Sequence, residues 1–220
     1  MRSLNLLICL SVLAILQSCD YGILYEVPQP GNSKNLDVFP VSIVGHYIND
    51  SSKNRLVILK NQVIKISNYD LAVSKNEIDT SKEGKLIGDS LYLSDINEVI
   101  PVKIENDSVF GIMPQRDTVF RISKLNLLRK YKDDFFLNLQ CSDSSWQVIR
   151  LTGLATGEIE FSIVNNKVDL EKLDRITKVQ VVKDKSDSLI NYKINPTRKE
   201  FLRLIKDGLF NQREIYRKNN

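Results

Sequence analysis

The 220-residue chain has one histidine, His46, and three cysteines, Cys9, Cys19 and Cys141. A lone histidine excludes the two- and three-histidine zinc sites that a single chain can build, and so few thiols do not replace the missing ligands. A Ser–His–acid triad would have to use His46, which lies in Val44-Gly45-His46-Tyr47 on an expected first strand, and no Gly-x-Ser-x-Gly elbow exists to present a nucleophile. Phosphate-cradling loops of the Gly-x-Gly-x-x-Gly or Gly-x-x-x-x-Gly-Lys kind are missing as well, so no nucleotide or other cofactor is expected. No apolar run reaches the roughly 20 residues that a membrane-spanning helix needs. Nor does charge of one sign dominate, since 31 basic residues face 27 acidic ones and alternate closely with them, as in Lys82-Glu83, Glu171-Lys172 and Lys183-Asp184-Lys185. That interspersion excludes the basic stripe of a nucleic-acid binder and reads as a solvated surface.

What is present begins at the N-terminus. Arg2 gives a positive start, residues 4–16 are apolar except for Asn5 and Ser11, and Gln17-Ser18-Cys19 follows. This pattern is that of an export signal too short to stay as a membrane anchor. Leu16-Gln17-Ser18-Cys19 resembles the bacterial lipobox, in which a Leu stands three residues before an invariant Cys and a small residue just before it. The resemblance implies removal of the signal peptide 1–18 and a lipid on Cys19. The mature chain would then be attached to a membrane of the bacterial cell envelope with its domain outside the cytoplasm; inner and outer membranes are left open. Burial contributes about 0.8 kcal/mol per CH₂, so several acyl chains hold a domain without a second hydrophobic segment.

Without residues 1–18 the chain keeps 30 basic and 27 acidic residues, a net of +3. Cys141 is then the one cysteine besides the lipid site, which leaves no internal disulfide to expect in an oxidising compartment. It reads as a small buried apolar residue. Residues 19–38 contain Pro28-Gln29-Pro30-Gly31-Asn32-Ser33, a breaker composition that reads as a tether ahead of a β-rich globular region, 39–220.

From Val41 onward, short β-branched and aromatic runs are cut by Asn, Asp, Gly and Ser, which predicts strands. They are placed at 41–48, 55–59, 62–66, 69–73, 85–87, 90–93, 99–104, 108–112, 118–122, 135–139, 146–151, 158–163, 178–182 and 189–194, with a last edge strand over 214–217. Asp89-Ser90, Asp107-Ser108 and Asp117-Thr118 each read as a turn leading into a strand. Pro101 cannot donate a ladder hydrogen bond, so its strand is expected at an edge or a bulge. Asp169 caps a short helix over 169–176, and Thr197-Arg198-Lys199-Glu200 forms a capping box for a second one that Gly208 ends. The fold class is therefore mainly β, an antiparallel meander forming a barrel or sandwich with one or two short helices near the C-terminus. The globular region is either one continuous barrel or two β subdomains divided near 124–132.

Chemistry has few candidates. Asp133-Asp134 and Glu158-Ile159-Glu160 could supply a carboxylate pair, although as a turn and a solvent face they need no function. Trp146 and Phe135-Phe136 read first as core. Residues 131–139 followed by Trp146-Gln147-Val148 look similar to hairpins in uncharacterised exported bacterial lipoproteins, a resemblance that implies no activity. No catalytic and no metal-binding residue is assigned. The expected function is a lipid-anchored, non-catalytic module that binds an envelope protein. A β-barrel carrier of a small apolar ligand comes second and an envelope glycan hydrolase third.

Overall fold

The alternating runs do fold as strands, sixteen of them among the described residues, and with three short helices they make the protein mainly β. The computed structural model describes residues 23–81, 83–94, 97–165, 167–183 and 190–219; the signal segment and Cys19 lie outside them. In chain order, β1 (Ile23–Tyr25) and β2 (Asn35–Leu36) come first. A 3-10 turn at Val41–Ile43 leads into β3 (Gly45–Ile48), β4 (Arg55–Ile58), β5 (Gln62–Ser74), α1 (Lys75–Thr80), β6 (Gly84–Ile87), β7 (Ser90–Leu93), β8 (Glu98–Glu105) and β9 (Ser108–Arg121). Then follow β10 (Leu127–Tyr131), β11 (Asp134–Ser142), β12 (Ser145–Gly153), β13 (Ile159–Ile163) and α2 (Leu170–Asp174). The chain ends with β14 (Val179–Lys183), β15 (Ile190–Ile194), α3 (Arg198–Lys206) and β16 (Gln212–Lys218).

Two compact units result. One holds residues 23–38 with Ile122–Ile215, the other Phe39–Arg121 with 216–219. The chain passes between the units at Val38/Phe39, Arg121/Ile122 and Ile215/Tyr216, and most of residues 124–132 forms β10.

The second unit runs in the antiparallel order β3-β4-β5-β9-β8-β7-β6. What the sequence suggests as four strands over 62–73 and 108–122 are two long ones, β5 and β9, paired from Gln62↔Arg121 to Ser74↔Ser108 with one bulge at Val63/Ile64. Pro114 sits opposite Asn68 without breaking this ladder. The reason is geometric: the Asn68 N–H donates to Asn54 Oδ1 (3.0 Å), on the edge away from β9. Asn68–Pro114 is thus a non-hydrogen-bonded pair, and proline forfeits no bond to β5. Asp117 faces Lys65 within the ladder instead of starting a turn, whereas Asp89 and Asp107 do sit in turns. Pro101 pairs with β7, and the ladder to β9 begins only at Val102, so its missing donor falls where β8 changes partner. Leu56, Ile58, Val63 and Phe120 are buried around one end of the long ladder. Ile78, Leu91, Ile100, Val102 and Val109 form a small core at the other.

In the first unit β12 is central. β11 covers one edge of it, while β1 (Tyr25↔Trp146) and β13 (Ile149↔Ile163) share the other. β10 and β2 extend the sheet beyond β11. β15 lies parallel to β1 and β14 antiparallel to β15. Among the described residues β6 and β14 each pair with one strand, so the strands do not close into a barrel.

Helix α3 shows why local sequence suffices at some places. Thr197 and Glu200 form the capping box, and Gly208 (φ 72°) closes the other end, with Gly208 and Leu209 N–H groups donating back to Ile205 and Leu204 carbonyls. The helix thereby presents Phe201, whose ring meets Phe136, Tyr25 and Phe210 edge-on at 5.2, 6.0 and 6.1 Å. Asp169 caps α2 through the Lys172 N–H, as expected (2.9 Å). Helix α1 was not anticipated, although Ser74 and Glu77 make a second capping box.

The segment expected as a tether is folded from Ile23 on. Ile23, Leu24 and Tyr25 are buried, and so is Gln29. The Asn138 side chain accepts from Gln29 N and donates to the carbonyls of Gln29 (2.8 Å) and Leu127 (3.1 Å). Arg129 donates to the Pro28 and Pro30 carbonyls, and burial pulls its guanidinium below its ordinary range. Prolines here remove donors that would otherwise need partners, and two side chains satisfy the acceptors that remain.

Asn138→Ala, which strands a buried N–H and a carbonyl, should destabilise the first unit by about 3 kcal/mol, read from its urea midpoint. Tyr25→Phe should do the reverse. The Tyr25 hydroxyl is fully buried with no hydrogen-bond partner among the described residues, and burial raises its pKa far above that of an ordinary phenol. Removing it while keeping the ring should leave stability unchanged or raise it by up to about 1 kcal/mol. A loss above that would mean the hydroxyl is satisfied in solution.

Candidate functional site

The two carboxylate segments noted in the sequence meet. The β11–β12–β13 register sets Asp134 opposite Thr152, Thr152 opposite Glu160, and Arg150 opposite Ser162. Arg150 Nη2 donates to both Asp134 oxygens at 3.0 Å, and the Thr152 hydroxyl donates to Asp134 Oδ1 at 2.7 Å. Arg150 Nη1 lies 3.9 Å from Glu160, whose other oxygen is 3.8 Å from Arg213. The Arg150 guanidinium also stands 6.0 Å from the Phe210 ring centroid, and Arg213 Nε donates to the Phe210 carbonyl (2.8 Å). Asp134, Arg150 and Glu160 side chains are all at least 85% buried.

This arrangement is electrically neutral: two guanidinium groups and two carboxylates. A hydrolytic pair needs one carboxyl free to give up a proton and another free to attack or to activate water across an open gap. Here Arg150 stands between the carboxylates, with Nη2 shared between both Asp134 oxygens and Nη1 facing Glu160, an arrangement that orders structure and leaves each carboxylate beside a cation. Asp133 is exposed in the β10–β11 turn, and Glu158 accepts from the Thr156 hydroxyl at 2.6 Å. No sequence signal marks Arg150. Both faces of β12 are buried, so the period-two alternation that would single out an inward arginine is absent.

The other candidates stay apart. His46 is exposed on β3 opposite Val57. Cys141 is half-buried with its Sγ 3.7 Å from the Leu139 carbonyl, less enclosed than expected. Phe135 and Phe136 are buried and Trp146 packs on the core of the first unit. Among the described residues no group of three potential ligands is placed to hold a metal, and no helix is long and apolar enough to cross a membrane.

A different surface stands out in the second unit. Strand alternation sends Leu91, Ile100, Val102 and Val109 into the small core, and their neighbours outward. Several of those outward neighbours are apolar too, beside polar ones such as Ser90 and Lys103, which lies opposite Phe110. Ile87 is 58% exposed, Val99 62% and Ile112 55%, with Phe110 also exposed, and Tyr92 is paired with Val99. Outward positions on a half-solvated sheet are ordinarily polar. Sequence reading missed this face because alternation is clearest when one side is hydrophilic throughout, and here Val99, Phe110 and Ile112 interrupt an outward side that also carries Lys103 and Glu105.

Compared with protein-family models, with curated proteins and with solved structures, the chain matches none.

Arg150→Met leaves two largely buried carboxylates with one distant cation, and should lower stability by about 3 kcal/mol. Arg150→Lys keeps the charge but cannot face Asp134 with one nitrogen and Glu160 with another, and should lose about half as much. Urea unfolding of both variants checks the order. Wild-type stability in Arg150→Met would remove the structural role assigned to the cluster.

Proposed function

We propose that this is a lipid-anchored protein of the bacterial cell envelope, held through Cys19, that works as a non-catalytic protein-binding module. The observation that carries the binding role is the apolar outer face formed by Ile87, Val99, Phe110 and Ile112. Contiguous exposed apolar surface is costly in water and marks places where another surface docks. The partner is an envelope protein with an apolar patch of its own, and the module is an open, sandwich-like layer structure.

The carrier alternative depends on a closed barrel with an empty interior. Open sheet edges, and a core filled by the rings of Tyr25, Phe136, Phe201 and Phe210, weigh against it. The hydrolase alternative has its carboxylates engaged by Arg150 and Arg213.

A photo-crosslinking amino acid at Val99 or Ile112, introduced into the exported chain in cells, should capture one protein of defined mass. The double variant Val99→Asp/Ile112→Asp should abolish its co-purification and leave membrane fractionation unchanged. Cys19→Ser should move the protein to the soluble fraction. Absence of a crosslinked protein at both positions, together with unchanged associations of the double variant, would overturn the binding role.

A further inference from the structure

We propose that the first unit rests directly on the lipid surface, with the side of its sheet where β1 begins turned toward the bilayer. The inference builds on the lipid at Cys19 and adds which surface meets the membrane.

The chain sets a hard limit. Ile23 is already part of the fold: its side chain is buried, its N–H donates to the Val164 carbonyl at 2.9 Å, and it pairs with Tyr192. Only residues 20–22 separate it from Cys19. Four Cα-to-Cα steps, fully extended, reach about 14 Å at most. A compact unit of about 110 residues has a radius of gyration near 13 Å and is therefore about 30 Å across. The link is shorter than the unit is wide, so the unit cannot stand off from the membrane, and only the surface around Ile23 can approach the lipid.

That surface has fitting chemistry. Through the β1–β15–β14 register, Val181 lies level with Tyr192 and Ile23, two strand spacings or about 10 Å away. Val181 is 59% exposed, and Val182 beside it is exposed as well, on a strand at the sheet edge. Exposed apolar residues on an edge strand invite unwanted pairing in water, whereas at a headgroup boundary they are covered. Lys167, exposed in the loop that follows Val164, supplies a cation for anionic headgroups.

The test uses the lipidated full chain carrying Cys141→Ser, in vesicles of phosphatidylethanolamine and phosphatidylglycerol doped with a nitroxide-headgroup lipid. An environment-sensitive fluorophore is attached at Lys167→Cys or Val181→Cys, near Ile23. A third label at Leu125→Cys, an exposed residue just before β10, lies three strand spacings from β1 and toward the opposite strand ends, about 16 Å away by ladder spacing. The first two labels should lose most of their emission and the third little. A Gly/Ser segment of about 20 residues inserted between Asp20 and Tyr21, long enough to let the unit leave the surface, should abolish the difference while the chain still floats with the vesicles. Equal quenching at all three positions in the original chain would overturn the proposal. A chain that does not float at all would instead refute the lipid at Cys19, and the inference with it; flotation reveals that before any fluorescence is read.

Discussion

The first unit depends on one contact, the ring of Phe201 seated among Tyr25, Phe136 and Phe210. Its four members come from the start, the middle and the end of the chain, so no stretch of sequence can form it alone. Each large aromatic side chain removes on the order of 200 Å² from water, and the edge-on geometry adds a directional term that fixes how the helix lies. Because Tyr25 is one of the four, the N-terminal segment becomes an integral part of the core. The polar clasp of Asn138 on Gln29 then follows as a necessity, since a chain drawn inside must have its backbone groups satisfied.

How far the sequence reveals this depends on whether the deciding force is local. The caps at Asp169 and Thr197 are local, and both helices stand where the sequence suggests. Strands with one wetter side, such as β8, were legible from alternation, whereas β4, buried at Leu56, Val57 and Ile58, was legible only as an apolar run. Three kinds of residue misled. The three-residue strand Ile23-Leu24-Tyr25 is too short to show a period, and the prolines after it signal a loop when the burial of Gln29 is a tertiary fact. Asn68 and Pro114 resemble breaks, yet each sits where the ladder asks for no hydrogen bond between them. Ser74–Glu77 was a readable capping box, but only Ile78 of the following turn is buried, so no apolar stripe supports it. The carboxylates at Asp134 and Glu160 were visible as residues; that Arg150 joins them was not, because β12 is covered on both sides.

The units distribute polarity in opposite ways. The first places charges inside and pairs them, as Arg150 does with Asp134 and Glu160, although its Nε has no hydrogen-bond partner among the described residues. The second leaves apolar side chains such as Val99 and Ile112 exposed among the described residues. Interactions already complete within a molecule leave little free energy for a partner, while uncovered apolar surface retains all of it. That contrast, more than any single residue, is why binding is ascribed to the second unit and structure to the first.

The parallel ladder between β1 and β15 also sets an order of events in time. Residues 39–121 contain nearly all the ladders of the second unit, the longest between β5 and β9, so these can form as soon as that segment has emerged. Strand β1 emerges earlier but must wait for Trp146 and then for Tyr192, more than a hundred residues later. Contacts of such long separation form slowly because the loop they close has to be ordered first. Strand β1 is thus the first part of the fold to be delivered and the last to be settled, and a chain interrupted before its final few tens of residues would leave Ile23, Leu24 and Tyr25 uncovered.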